Sequence, residues 1–406
     1  MKNICLAFLL YLCFQPLIGQ NSNTISIGKI ESLDSEILNE TRKIWVHVPE
    51  GNYNKMSSTK TYPVLYLLDG NSHFYSVVGM MRQLSSSNRN TVLPKMIVVG
   101  IPNTDRIRDL SPTTGNYYSG DSTVTKSGGG HQFMSFIEHE LIPYIDSKYP
   151  TESYRTFVGH SLGGLTVMNT LINNPELFKS YIAIDPSMWW NNKNLLKKIK
   201  TTKLDKRYNG RTLYLGIANT AGMDTLAVKK DTTYDTRHLR AILELNSFLK
   251  NKDNLNHLSY KGKYYEEESH ASVPLITTYD ALRFVFSFYQ LDINERELID
   301  PEKDILYKIK NHYERLSKEY GREMKPELYF IENLARRLID KQQLKKAESL
   351  LRYNTTNYPE NHYPYNILGD FYVTTGDKMK AIECYKKSFA LNQNSYARDK
   401  IKVLEI

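Results

Sequence analysis

Ser161 stands between glycines in Gly159-His160-Ser161-Leu162-Gly163-Gly164, directly after the short apolar run Thr156-Phe157-Val158. A serine held on a tight turn between a strand and a helix is the arrangement of an acyl-transfer nucleophile. The glycines let the turn tighten and keep side chains away from the serine oxygen. The positive end of the following helix favours the negative charge that develops during attack. A hydroxyl is a weak nucleophile without a base. Of the five histidines after Ser161, His312 and His362 fall in a charged helical tail, His238 in an amphipathic stretch that reads as helix surface, and His257 at a polar turn. His270 follows the strand-like Leu258-Ser259-Tyr260 and the polar segment 263–269, and precedes another amphipathic helix. A loop after the last strand is where the base belongs, so His270 is the expected one. With the chain order serine, acid, histidine, Asp224, in the loop after the run Leu213–Ile217, is the first choice for the acid. Glu268 and Asp185 are the alternatives, and a serine–histidine dyad stays open. The oxyanion needs two backbone N–H groups. These are expected from Leu162 and from Gly70 or Asn71 in Asp69-Gly70-Asn71.

The elements that must carry these residues are legible as an alternation. Residues 25–33 and 41–49 read as two strands joined by a polar turn. The nearly continuous apolar runs 64–68, 96–101, 157–158, 181–184 and 213–217 suit strands buried on both faces of a parallel sheet. Helical spacing appears between them over 131–147, 162–173, 236–250 and 274–289, the first with Phe133, Phe136, Ile137, Leu141 and Ile145 on one face. Strands alternating with helices predict a doubly wound, mostly parallel α/β sheet, with its domain over about residues 21–292.

Several stretches together resemble the esterase family of α/β-hydrolases that includes enterochelin-esterase-like proteins, esterase D and relatives of the mycolyltransferases. They are Leu65-Tyr66-Leu67-Leu68-Asp69-Gly70, residues 103–112 (Asn103 to Pro112), Gly159 to Gly164, Asp185-Pro186-Ser187-Met188-Trp189-Trp190 and Ser269-His270. The resemblance spans about residues 25–290 and implies that Ser161 and His270 are nucleophile and base. The family often has serine before Pro186, where this chain has Asp185. By the same resemblance Trp189, Trp190, His73 and Arg106 lie near the site, and Trp189, Trp190 and Arg106 are candidate substrate contacts. Residues 127–130, Ser127-Gly128-Gly129-Gly130, are read as a flap. The expected function is a cofactor-free serine ester hydrolase acting on a small-molecule or glycan ester. Siderophore lactones, acetylated or feruloylated glycans and simple acyl esters all remain open. An acyltransferase, and a binding protein working through the tail, are the alternatives.

After Asp292 the chain turns charged and helical. Leu334 and Leu368, Ile339 and Val373, Ala347 and Ala381, and Leu351 and Tyr385 are each 34 residues apart, the period of a tetratricopeptide repeat. Residues 326–400 are therefore read as about two helical hairpins, with 301–320 as a leading helix, over a region spanning 293–406. They are expected to dock on the sheet domain or on a protein partner.

The N-terminus has Lys2, an apolar run from Leu6 to Phe14, Pro16, and small or polar residues near Gly19-Gln20. It reads as a secretory signal over residues 1–20, which implies export to the periplasm or beyond. Cys13 lacks the small residue before it that a lipoprotein site wants. Cys5 and Cys13 leave with the signal and Cys384 remains alone, so no disulfide or cysteine metal site is expected. The net charge of +9 over 406 residues is spread along the chain, a general bias towards anionic partners without a nucleic-acid motif. No second apolar run is long enough to span a membrane. No H-E-x-x-H, P-loop or dinucleotide fingerprint occurs, and His139 has no second ligand at metal spacing.

Overall fold

The protein is described from a computed structural model covering residues 25–49, 61–87, 91–115, 127–251, 257–393 and 395–406. The expected secretory signal lies outside these residues. Eight strands form one sheet: β1 (Lys29–Ser35), β2 (Glu40–His47), β3 (Tyr62–Leu68), β4 (Ile97–Ile101), β5 (Thr151–His160), β6 (Ser180–Ile184), β7 (Arg211–Ala218) and β8 (Leu258–Tyr265). Their spatial order is β1-β2-β4-β3-β5-β6-β7-β8. β1, β2 and β4 pair antiparallel, and every pairing from β4 across to β8 is parallel. The helices of this part are α1 (Gly70–Ser85), α2 (Arg106–Leu110), α3 (130–148), α4 (Leu162–Asn173), α5 (Trp190–Thr201), α6 (Thr225–Lys230), α7 (Arg237–Lys250) and α8 (Val273–Val285).

The all-apolar strands are buried on both faces, as their runs predict. In β3, Val64, Tyr66 and Leu68 join the core under α3, α4, α5 and α7. The intervening Leu65 and Leu67 join a second core under α1 and α8. This alternation follows from the period of two in a strand. β5 extends well before the run that announces it, because its first half alternates buried and part-exposed residues. β8 is an edge strand with the same mixed pattern. α1 and α5 are not among the helices the periodicity predicts. Yet α1 buries Phe74, Val77, Val78, Met81 and Leu84, a helical stripe. In α5, Asn191, Asn192 and Lys193 are left-handed, with φ of 45°, 52° and 61°, which interrupts any helical reading of its start. α3 keeps the predicted apolar face but widens to a π-helical turn at Ile137–Leu141.

The C-terminal part is helical throughout its described length: α9 (Glu295–Ile299), α10 (Ile305–Tyr320), α11 (Leu328–Asp340), α12 (Leu344–Asn357), α13 (His362–Thr375), α14 (Lys378–Asn392) and α15 (Ser395–Glu405). Leu334, Leu368, Ala347, Ala381, Leu351 and Tyr385 share one core. Val373, the counterpart of Ile339, is exposed instead. A Cβ on Gly369 would stand 2.7 Å from the Tyr385 ring, so that glycine lets α13 and α14 approach. α10 belongs to two cores. Its Ile305 and Ile309 pack with the tail, while Leu316 and Tyr320 pack with Tyr154 and Phe286 against the sheet. Around that junction Ser153 Oγ donates to Tyr320 O at 3.4 Å, Arg322 pairs with Glu152, and Arg315 Nη2 donates to Phe288 O at 2.9 Å. The tail thus docks at the start of β5, and Ser161 follows its end, roughly 25 Å away at the usual rise of a strand.

Candidate active site

Ser161 is forced into an unusual conformation by the elements on either side of it. Its φ is 59° and ψ −115°, a region that costs of order 1–3 kcal/mol for a residue with a side chain. The turn is this tight because β5 and α4 pack backbone on backbone. A Cβ on Gly159 would lie 2.4 Å from the carbonyl carbon of Gly163. The turn is held by Ser161 N–H to Ile184 O and Ser187 N–H to Ser161 O, both 3.0 Å.

His270, in the loop after β8, places Nε2 3.1 Å from Ser161 Oγ, within the reach a general base requires. Its Nδ1 lies 2.6 Å from Asp185 Oδ2. Asp185 directly follows β6, has a left-handed φ of 41° and is fully buried. Its Oδ1 accepts from Ala218 N at 3.0 Å, and His238 Nε2 lies 2.9 Å from the same Oδ2 that faces His270. Burial pushes the Asp185 carboxyl up. The hydrogen bonds from His238 and His270, the His238 charge and the Ala218 N–H outweigh it and hold the group well below the ordinary carboxylate range. The group on His270 is therefore Asp185, not Asp224. Asp224 is exposed at the N-terminus of α6, where its Oδ1 accepts from Leu226 N at 2.8 Å and Ala227 N at 3.0 Å. It is a helix cap. Glu268 is tied to Asn219 through its backbone carbonyl. His238, read from the sequence as helix surface, is turned inward onto Asp185. Ser187 Oγ, 3.3 Å from Ser161 Oγ, was also not anticipated.

Leu162 begins α4, and Gly70 and Asn71 begin α1. First-turn N–H groups have no acceptor within their helix. The two helix starts adjoin, since a Cβ on Gly163 would meet Asp69 Oδ2 at 3.1 Å and Leu68 at 3.4 Å. Gly70 needs to be glycine, because a Cβ there would stand 2.8 Å from the backbone of Gly100 and Ile101. The carboxylate of Asp69 accepts from Arg106 Nε at 2.6 Å, Arg106 Nη2 at 3.1 Å and Asn103 Nδ2 at 2.7 Å. Arg106 Nη2 also reaches His160 O at 3.3 Å. Burial raises the Asp69 carboxyl, but Arg106 and Asn103 more than reverse this.

This geometry revises the substrate residues. Arg106 braces the loop after β3 against the serine turn. Trp190 is buried, donating Nε1–H to Thr113 O at 3.1 Å. It lines a cavity of about 420 Å³ between α3, α4 and α5. Trp189 is part-exposed, with the Arg237 guanidinium 4.6 Å from the centre of its ring. The stretch 127–130 is pinned, not a free flap: Gly128 N–H donates to Ser111 Oγ at 2.7 Å and Gly129 N–H to Arg108 O at 2.9 Å.

Four imidazoles line up through the site, His73 to His160 at 5.8 Å, His160 to His270 at 4.4 Å and His238 to His270 at 5.1 Å between ring centres. Burial, then His270 and His73, push His160 down to about 3, so it stays neutral beside the base. Asp185, His238 and His270 also present three ligand atoms within 4.8 Å of one another. That set could take a metal ion only by giving up both hydrogen bonds to Asp185.

The model of the Putative esterase family matches residues 35–271. The ferri-bacillibactin esterase BesA of Bacillus subtilis is 32% identical over 190 residues, 44% of this chain and 64% of its own length. The siderophore enterobactin esterase of Emericella nidulans is 32% identical over 158 residues, 36% of this chain and 52% of its own. The chain thus spans between half and two thirds of the length of these curated relatives. The crystal structure of an IroE-like serine hydrolase from Shewanella oneidensis superposes with a TM-score of 0.64 at 29% identity, covering 82% of this chain and 99% of that one.

Proposed function

The chain belongs to the Putative esterase family, and from that premise we propose that it hydrolyses carboxylic esters through an acyl-enzyme on Ser161. The observation that carries this reading is the hydrogen-bonded series Ser161–His270–Asp185. His270 Nε2 takes the Ser161 proton as Oγ attacks the acyl carbon. Asp185 fixes the ring through Nδ1 and stabilises the imidazolium that forms. The N–H groups of Leu162 and of Gly70 or Asn71 hold the oxyanion. The protonated His270 gives its proton to the leaving alcohol. It then takes one from water, whose oxygen attacks the acyl-serine, and returns that proton to Ser161 Oγ as the acyl–oxygen bond breaks and the acid leaves.

The substrate class we propose is a siderophore ester. Two relatives at 32% identity carry such names. The net charge of +9 and the Arg237–Trp189 pair suit an anionic, aromatic ligand. Export by the N-terminal segment is part of the same proposal, as is a division at about residue 292 between the hydrolase and the helical tail.

The test is hydrolysis of a catecholate trilactone, with and without ferric iron, beside a short-chain p-nitrophenyl ester. The parent is compared with Ser161→Ala, His270→Ala and Asp185→Asn. Cleavage of the trilactone that all three changes suppress is the expected result. A folded parent that cleaves neither substrate, or a Ser161→Ala variant as active as the parent, would overturn the mechanism. Activity on the p-nitrophenyl ester alone would overturn the substrate class.

A further inference from the structure

We infer that His238 is a positioning residue of the reaction, acting on the base through Asp185; this rests on the reading of Ser161, His270 and Asp185 given above. Asp185 Oδ2 is shared. His270 Nδ1 lies 2.6 Å from it and His238 Nε2 2.9 Å. An ionised carboxylate only accepts, so both imidazoles donate N–H to the one oxygen. The two rings meet at 88°, which brings the two donors to that oxygen from different directions. Oδ1 is held by Ala218 N–H.

A carboxylate fixed at one oxygen by a single backbone N–H can pivot about that bond. Any pivot would move the acceptor that orients His270. His238 supplies the second fixed point. Its ring is largely shielded, at 17% side-chain exposure, and sits in the first turn of α7 beside Arg237, whose guanidinium lies over Trp189. The start of α7 therefore contacts both the acid, through His238, and Trp189, through Arg237. His238 touches neither Ser161 nor the reacting carbonyl. Its effect falls on the rate of the chemical step and not on binding.

The experiment compares the full chain with His238→Ala and His238→Gln. Losing one hydrogen bond to a charged group should lower kcat about ten- to a hundredfold in His238→Ala, with KM within about twofold of the parent. The Gln amide N–H can reach the place of Nε2–H, so His238→Gln should recover most of kcat. A structural role alone would not separate kcat from KM or respond to Gln. The downfield proton resonance of His270 Nδ1–H gives a readout that needs no substrate. It should move upfield in His238→Ala, where Asp185 is free to pivot and its bond to His270 Nδ1–H loosens, and return towards the parent value in His238→Gln. An unchanged kcat together with an unchanged resonance in a folded His238→Ala would overturn the inference. Should that variant not fold, His238→Phe, which keeps the volume without the N–H, takes its place. A parent that cleaves no ester refutes the proposed function, and the resonance still decides the role of His238.

Discussion

The carboxyl ends of the central strands, which carry the site, and the C-terminal helices handle unfavourable backbone in opposite ways. Nine described non-glycine residues have positive φ. Asp69, Ser161 and Asp185 lie in the turns at the strand ends around the site, and Asn191 to Lys193 in the first turn of α5. In the tail the only described ones are Gln342 and Gln393, each just after a helix ends. The site aims a nucleophile, an acid and an oxyanion loop with conformations a free chain avoids. The helical tail uses the same conformation only to stop a helix, as at Gly321 and Gly376. Strain in the first region serves geometry; in the second it serves termination. Substitutions that relax it should therefore separate activity from stability in one region and not in the other.

The largest expected effect is on turnover. Ser161→Ala should lower kcat by roughly four to six orders of magnitude in steady-state assays. No substitution in the α11–α15 core should move kcat more than about twofold if the regions are as independent as their roughly 25 Å separation suggests. Asp185→Asn comes next, with a loss of about 10³–10⁴ because the base loses its tautomer and its counter-charge. Asp224→Asn should change kcat less than about twofold, since asparagine caps a helix as well as aspartate does. Third, Tyr385→Ala should destabilise the chain by about 3 kcal/mol in denaturant unfolding, leaving kcat/KM intact under native conditions.

The fourth prediction uses a buried neutral histidine in each region. His160 is pushed down to about 3 and His312, by burial and then Arg315, to about 4, both from 6.5. Between pH 6.5 and those values the unfolded chain binds a proton that the folded chain refuses, so stability falls as pH is lowered through that window. His160→Gln and His312→Gln should each flatten that slope in pH-dependent unfolding. Only the first should also reduce kcat. The smallest effects are expected at the strained positions themselves. Ser161→Gly should raise stability by about 1 kcal/mol with activity lost, and Gln342→Gly by about 0.5–1 kcal/mol with activity kept. Both are read from thermal unfolding beside an ester assay.

What the sequence made legible follows the range over which each signal acts. The serine turn is contiguous, and Gly159, Ser161 and Gly163 meet through local backbone packing, so six residues announced it. The sheet was readable because its central strands are apolar on both faces. β8 was read only in its first three residues and β5 only in its second half, because the rest of each alternates buried and more exposed residues and looks like polar loop. Asp185 was weighed and ranked below Asp224. A carboxylate carries no mark of burial in its own identity, although Asp185 directly follows an all-buried strand. His238 was misread for a related reason. Its helix was recognised, but which face of that helix meets the end of β6 is decided by the crossing of α7 over the sheet, a relation between residues 53 apart. Arg106 and Trp190 belong near the serine turn, but their polar atoms are taken up by Asp69 and Thr113, contacts the chain order alone does not encode.

α10 has a thermal consequence. One end of a single helix completes the tail core through Ile305 and Ile309, and the other completes the sheet core through Leu316 and Tyr320. Melting either body first would require severing that helix midway and stranding half of its backbone pairs. A calorimeter should therefore record one endotherm for the chain. A proline in the middle of α10, at Glu314, should resolve it into two.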